Sequence, residues 1–285
     1  MRRSLPNLVL VVLTAVVATG CAQALRQPMP ETKGRLGVKI VPELPSKMSE
    51  MPMGVHQIPD APVYISGHQG AAPSVGMLFG VIGVLAADAA AQSTGETRTR
   101  DVQSELRLDV VAEAERLLAD ELARTDAARF APAGTADTLI EVAPYVVLNF
   151  VGEDRVRPWV VLRTARKDKG AEKWKTRYIA AVRETRPLGG DGGWASEGGA
   201  PLRQAVGEAR RTAIAVLMRD ISGSLRSGPA RTVKISAQWV WVKPPIEVEA
   251  DVLDETEDTV VVTPRIGDRR PAPLSRRHLQ RLQEV

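Results

Sequence analysis

Thr138-Leu139-Ile140-Glu141-Val142-Ala143-Pro144-Tyr145-Val146-Val147-Leu148-Asn149-Phe150 is dense in Val, Ile and Leu and reads as a strand. Two further strands follow it. In Val156 to Arg166, Trp159, Val161 and Arg163 alternate with Val160, Leu162 and Thr164. In Lys173 to Arg183, Trp174, Thr176, Tyr178, Ala180 and Val182 share one face. Lys167-Asp168-Lys169-Gly170-Ala171 between them has the composition of a hairpin loop. The simplest arrangement of the three is an antiparallel meander.

Two amphipathic helices flank the meander. Before it, Asp101 to Thr125 places Val102, Leu106, Val110, Ala114, Leu117, Leu118 and Leu122 at three- and four-residue steps. Glu105, Arg107, Asp109, Glu113, Glu115, Arg116 and Asp120 supply its wet sides. After the meander, Pro201 to Leu225 carries a stripe from Leu202 to Leu225, with Pro201 in the first turn, where a missing N–H costs nothing. Gly189 to Gly199, a glycine-rich loop holding Trp194, is expected to be mobile.

Further toward the N-terminus, Gly37 to Val41 and Val63 to Ser66 are strand signals, and the prolines from Pro42 to Pro62 exclude a regular helix between them. Val75 to Ala87 is an unbroken apolar run with Gly76 and Gly80 four residues apart. It reads as a buried helix packed closely on a sheet, because it is short of the roughly twenty residues a membrane span needs. The polar residues 93–100 are expected to break it. Toward the C-terminus, Gly228-Pro229 marks a boundary. Beyond it Val233, Ile235, Ala237, Trp239 and Trp241 alternate, as do Ile246, Val248, Ala250 and Val252, and Thr259 to Thr263 returns after a polar turn. Acidic residues gather at 247–258 and arginines from Arg265 onward, with a short helix expected at Ser275 to Gln283. The fold class expected is α+β: an antiparallel or mixed sheet with two to three helices packed on it, plus a small C-terminal β unit.

The N-terminus carries a different signal. Arg2 and Arg3 precede an apolar run from Leu8 to Ala18, which ends at Gly20 and at Cys21, the sole cysteine of the 285 residues. The run is too short to span a bilayer. This order resembles the lipobox of bacterial lipoproteins cleaved by signal peptidase II. The resemblance implies removal of residues 1–20 as a signal peptide and lipidation of Cys21, with palmitate among its acyl chains. Ala22, where an aspartate would favour the inner membrane, implies an outer-membrane anchor facing the periplasm. The expected organisation is then 1–20 signal peptide, 21–36 lipidated N-terminus and tether, 37–227 α/β periplasmic domain, and 228–285 small β unit with basic tail. Losing residues 1–20 takes Arg2 and Arg3 from the 38 basic side chains and none of the 34 acidic ones. The mature chain is therefore nearly neutral, and nucleic acid is not an expected partner.

The chemistry-bearing residues are few. His56, His68 and His278 are the only histidines and have no partner at a recognisable spacing. There is no Gly-x-Ser-x-Gly, no His-Glu-x-x-His, no Gly-Lys-Ser/Thr loop ending and no Rossmann glycine triplet. Met48, Met51, Met53 and His56 fall close together in a proline-broken segment, and thioethers with an imidazole suit Cu(I). The order of elements and the glycine-bearing apolar run Val75 to Ala87 resemble periplasmic α/β modules of outer-membrane lipoproteins, such as the curli-secretion lipoprotein and the N-terminal domain of the Tol translocation β-propeller protein. That resemblance implies a non-enzymatic binding or scaffolding role in envelope assembly, with an envelope protein and, through the lipid, the membrane as partners, and no cofactor. The alternatives are a periplasmic copper-binding protein using the methionine segment, and a hydrolase with no recognisable motif.

Overall fold

The computed structural model describes residues 25–26, 29, 32, 34–42, 55–66, 80–125, 128–151, 153–168, 171–225, 231–237, 246–256, 260–264 and 270–271. Cys21, Met48, Met51, Met53, the pair Trp239 and Trp241, Gly228-Pro229 and the segment Ser275 to Gln283 lie outside them, as does the apolar run at residues 75–79 and, for its side chains, at 80–87.

The expected α+β class is found. A seven-stranded mixed sheet carries the three long strands β5 (Thr138–Phe150), β6 (Arg155–Asp168) and β7 (Ala171–Ala181) as an antiparallel meander. Both β5–β6 and β6–β7 pair antiparallel, Tyr145 facing Val161 and Val160 facing Ala180. β5 is long enough to serve two shorter strands along its other edge. β2 (Leu36–Ile40) lies parallel beside its first half, and β4 (Val63–Ser66) parallel beside its second, Val38 facing Ile140 and Val63 facing Val146. β3 (His56–Gln57) adds to β4, and β8 (Arg186–Pro187) to the start of β6. β1 (Leu25–Arg26) pairs elsewhere, with the last strand described below.

Three α-helices are present among the described residues. α1 (Gly80–Thr99) continues through residues 93–99, where the sequence pattern breaks. Thr94, Thr97 and Thr99 each donate back to the carbonyl four residues earlier, Ala90, Ser93 and Gly95, so their hydroxyls are satisfied without leaving helical geometry. α2 (Val110–Leu122) starts later than the periodicity predicts, because Asp109 caps it by accepting from the Ala112 N–H at 3.2 Å. Leu106 and Leu108 are nonetheless buried from the loop ahead of it. α3 (Ser196–Ile221) is described with the site below.

The meander is buried on both faces, which explains why its first strand, β5, reads as a nearly continuous apolar run rather than as strict alternation. Ile140, Val142, Val146 and Leu148 of β5, with Val160 and Leu162 of β6, form one core with Leu117 and Leu118 of α2 and Leu202, Val206 and Leu217 of α3. Tyr145, Val147, Trp159, Val161 and Ile179 point the other way. They meet Ala250 and Val252 of β10 (Ile246–Glu255) and Val260 and Val262 of β11 (Val260–Pro264). With β9 (Arg231–Ala237), these make a separate three-stranded antiparallel sheet, order β11-β10-β9, laid against the meander. β12 (Arg270–Pro271) pairs with β1. The order through the body is helices, mixed sheet, small sheet.

Between α2 and α3 lies a charge the periodicity hides. Arg210 is fully buried and donates to Glu113, one of the residues the sequence pattern puts on the wet side of its helix. Burial pulls the guanidinium below its ordinary value, and the Glu113 carboxylate works against that fall. A buried cation without a carboxylate beside it is strongly unfavourable, so this pair ties the facing of the two helices together.

Candidate functional site

The site is built around the way α3 enters and leaves the fold. Trp194 precedes the helix and is fully buried. Its indole N–H donates to the Val156 carbonyl at 2.8 Å, and the Arg186 guanidinium covers its ring at 5.2 Å. The loop expected to be mobile is therefore pinned by its tryptophan, since a buried indole needs both apolar cover and a hydrogen-bond acceptor. The chain then makes a left-handed kink at Glu197, Gly198 and Gly199, and the regular helix runs on from Ala200 with Pro201 in its first turn. Gly199 is required there. Its φ is +83°, and a Cβ would stand 2.5 Å from the Glu105 carbonyl oxygen. Arg203 donates back to the Gly198 carbonyl at 2.6 Å.

The far end of α3 is tied three ways. The Tyr178 hydroxyl of β7 donates to Asp220 at 2.7 Å, Arg219 donates to Asp254 of β10 at 2.6 Å, and Arg129 donates to the terminal Ile221 carbonyl at 3.1 Å. The last bond satisfies a carbonyl that the helix itself leaves open.

A groove of about 680 Å³ runs between this fixed helix and the C-terminal end of β7. That volume is in the range of sites that hold a small molecule or a short peptide segment. Ala180 from β7 and Val182 just beyond it, with Ala205 and Ala209 from α3, give it small apolar surfaces. Gln204, Glu208 and Thr212 stand along the helix side. Arg183, Glu184, Arg186 and Glu197 gather toward the kinked end. Arg186 donates twice to Glu184, at 2.9 and 3.1 Å. Among the described residues that line the groove there is no histidine, serine or cysteine. What it offers is apolar contact, hydrogen-bonding amide and hydroxyl groups, and charge of both signs, which suits binding.

Of the residues singled out in the sequence, Cys21 and the methionines lie outside the described residues. His56 is placed on β3. Its Nε2 is buried without a hydrogen-bond partner among the described residues, and burial lowers its affinity for a proton, opposed by Glu96 of α1. Among the described residues no group of three or more His, Cys, Asp or Glu side chains is arranged to hold a metal ion. The groove itself was not foreseen. Its two sides come from residues 180–186 and 197–212, and the pattern that brings them together is topological. One local signal was present: the small residues Ala205 and Ala209, four apart on one side of a long helix. No known protein family matches the chain, and no curated protein is significantly similar to it.

Proposed function

We propose that the chain is a lipid-anchored envelope protein, held at the outer membrane and facing the periplasm, that binds a protein partner near the membrane and catalyses no reaction. The carrying observation is the order Arg2-Arg3, apolar run, Gly20-Cys21 at the N-terminus. It is supported by an α3–β7 groove whose described lining residues offer apolar contact, hydrogen-bonding groups and charge. Anchoring raises the local concentration of the domain beside other envelope proteins, so a modest intrinsic affinity suffices. Crosslinking of the full-length chain in living cells is expected to give one dominant adduct with an envelope protein. The Cys21→Ser chain, free of its anchor, is expected to give about ten-fold less. No adduct above that of an unrelated lipoprotein, or an equal yield from both chains, would contradict the proposal.

A further inference from the structure

We infer, resting on the anchored role above, that the apolar first part of α1 lies in the surface of the bilayer that holds the lipid of Cys21. The helix is docked by its polar end. Arg98 covers the Phe150 ring at 4.9 Å and donates to the Glu153 carbonyl at 2.7 Å. Gly95 and Thr99, about one turn apart on one face, are buried. The described packing of α1 is principally on β3 and on the turn Arg100–Val102 that follows the helix. Toward the start of the helix this contact ends. Ala89, Ala90, Gln92 and Ser93 are exposed, and Ala91 and Thr94 are half-buried. Over about one and a half turns, then, no residue of the helix is buried. Asp88 follows on the same face as Gly95, by helical spacing, and puts a charge there.

All of α1 ahead of Asp88 is apolar or glycine: Gly80-Val81-Ile82-Gly83-Val84-Leu85-Ala86-Ala87, with Val75 to Phe79 before it in sequence. A helix apolar on every side belongs in a core or in lipid. At 1.5 Å per residue, Gly80 stands about 20 Å along the axis from Gly95, where the helix is docked. The polar end is thus the one on the body, and the apolar end is carried away from that contact, in place of the packing on a sheet that its length alone suggests. No described helix is long and apolar enough to cross a membrane. A shorter apolar segment instead settles at the boundary between headgroups and acyl chains. The chain itself names lipid as the occupant. Leu36, where β2 begins, follows Cys21 by a stretch that reaches at most about 50 Å when fully extended, so an acylated Cys21 keeps the domain beside lipid.

The mature chain, residues 21–285 with Cys21→Ser, carries no acyl group and no other cysteine, so it reports on α1 apart from the anchor. It is expected to float with vesicles of phosphatidylethanolamine and phosphatidylglycerol. Leu85→Asp should weaken that binding about ten-fold or more, since a charge is costly in lipid, and leave the melting midpoint unchanged. An environment-sensitive fluorophore attached through Leu85→Cys in the same chain should shift to the blue when vesicles are added, while one attached through Ser93→Cys should not. A chain that does not float, or that floats equally well with Leu85→Asp, overturns the inference and leaves the anchored binding role standing. That role is decided separately, by the adduct in living cells and by acylation of Cys21. A melting midpoint lowered by Leu85→Asp would put residues 80–87 in a protein core. A concentration-dependent oligomer, formed without vesicles and abolished by Leu85→Asp, would give them to a second copy of the chain. Either result overturns the inference.

Discussion

A chain ending at Ser227 is expected to aggregate or to unfold without a cooperative transition. Such a cut removes β9, β10 and β11 and uncovers the face of the meander they lie against. Tyr145, Val147, Trp159, Val161 and Ile179 are each at most 6% exposed in the intact fold. Re-exposing side chains of this size costs about 1.5–3 kcal/mol apiece. Taken together that is on the order of 10 kcal/mol, comparable to the whole stability of an ordinary domain. The Arg219–Asp254 pair that helps hold the end of α3 is lost at the same time. Size-exclusion chromatography and urea unfolding of residues 22–227 make the check. A soluble fragment that unfolds cooperatively would show that the small sheet contributes little to the stability of the rest.

Trp194→Ala is expected to destabilise the intact chain by about 3–5 kcal/mol, the usual cost of emptying a large aromatic site in a core. The indole is fully enclosed, and its N–H is the donor to the Val156 carbonyl. Trp194→Phe keeps most of the packing and removes the donor, so it should cost less, about 1–3 kcal/mol for the buried carbonyl left without it. Urea denaturation of the two variants beside the parent separates packing from hydrogen bonding. If both midpoints stay within about 1 kcal/mol of the parent, the size of most surface substitutions, the loop is not held by its tryptophan. The effect should also reach the groove, because the kink carrying Glu197 begins two residues beyond Ala195, which follows Trp194 and donates its N–H to the Leu188 carbonyl.

The meander was legible because period-two alternation survives in β6 and β7, where Trp174, Tyr178 and Ala180 do face the helices, as does Val182 just past the end of β7. The second helix was legible from its stripe and from Pro201. What escaped did so for physical reasons. α1 outlasts its apolar pattern, and its threonine hydroxyls bond back to the helix's own carbonyls, which polarity alone does not reveal. Arg210 is buried because Glu113 arrives from another helix, and neither residue announces the other in sequence. The small sheet covers the meander through contacts between strands far apart in the chain. A hint lay in β5, where Tyr145 and Val147 alternate with Val146 and Leu148 and leave neither face polar. The groove depends on that same long-range arrangement, so its residue types were visible but their meeting was not.

The mass of the mature N-terminal peptide tests the account at its centre. After growth in a bacterial envelope, the account predicts a chain that begins at Cys21 and carries acyl groups on it. An unmodified Cys21, or a mature chain beginning at any other residue, would contradict it.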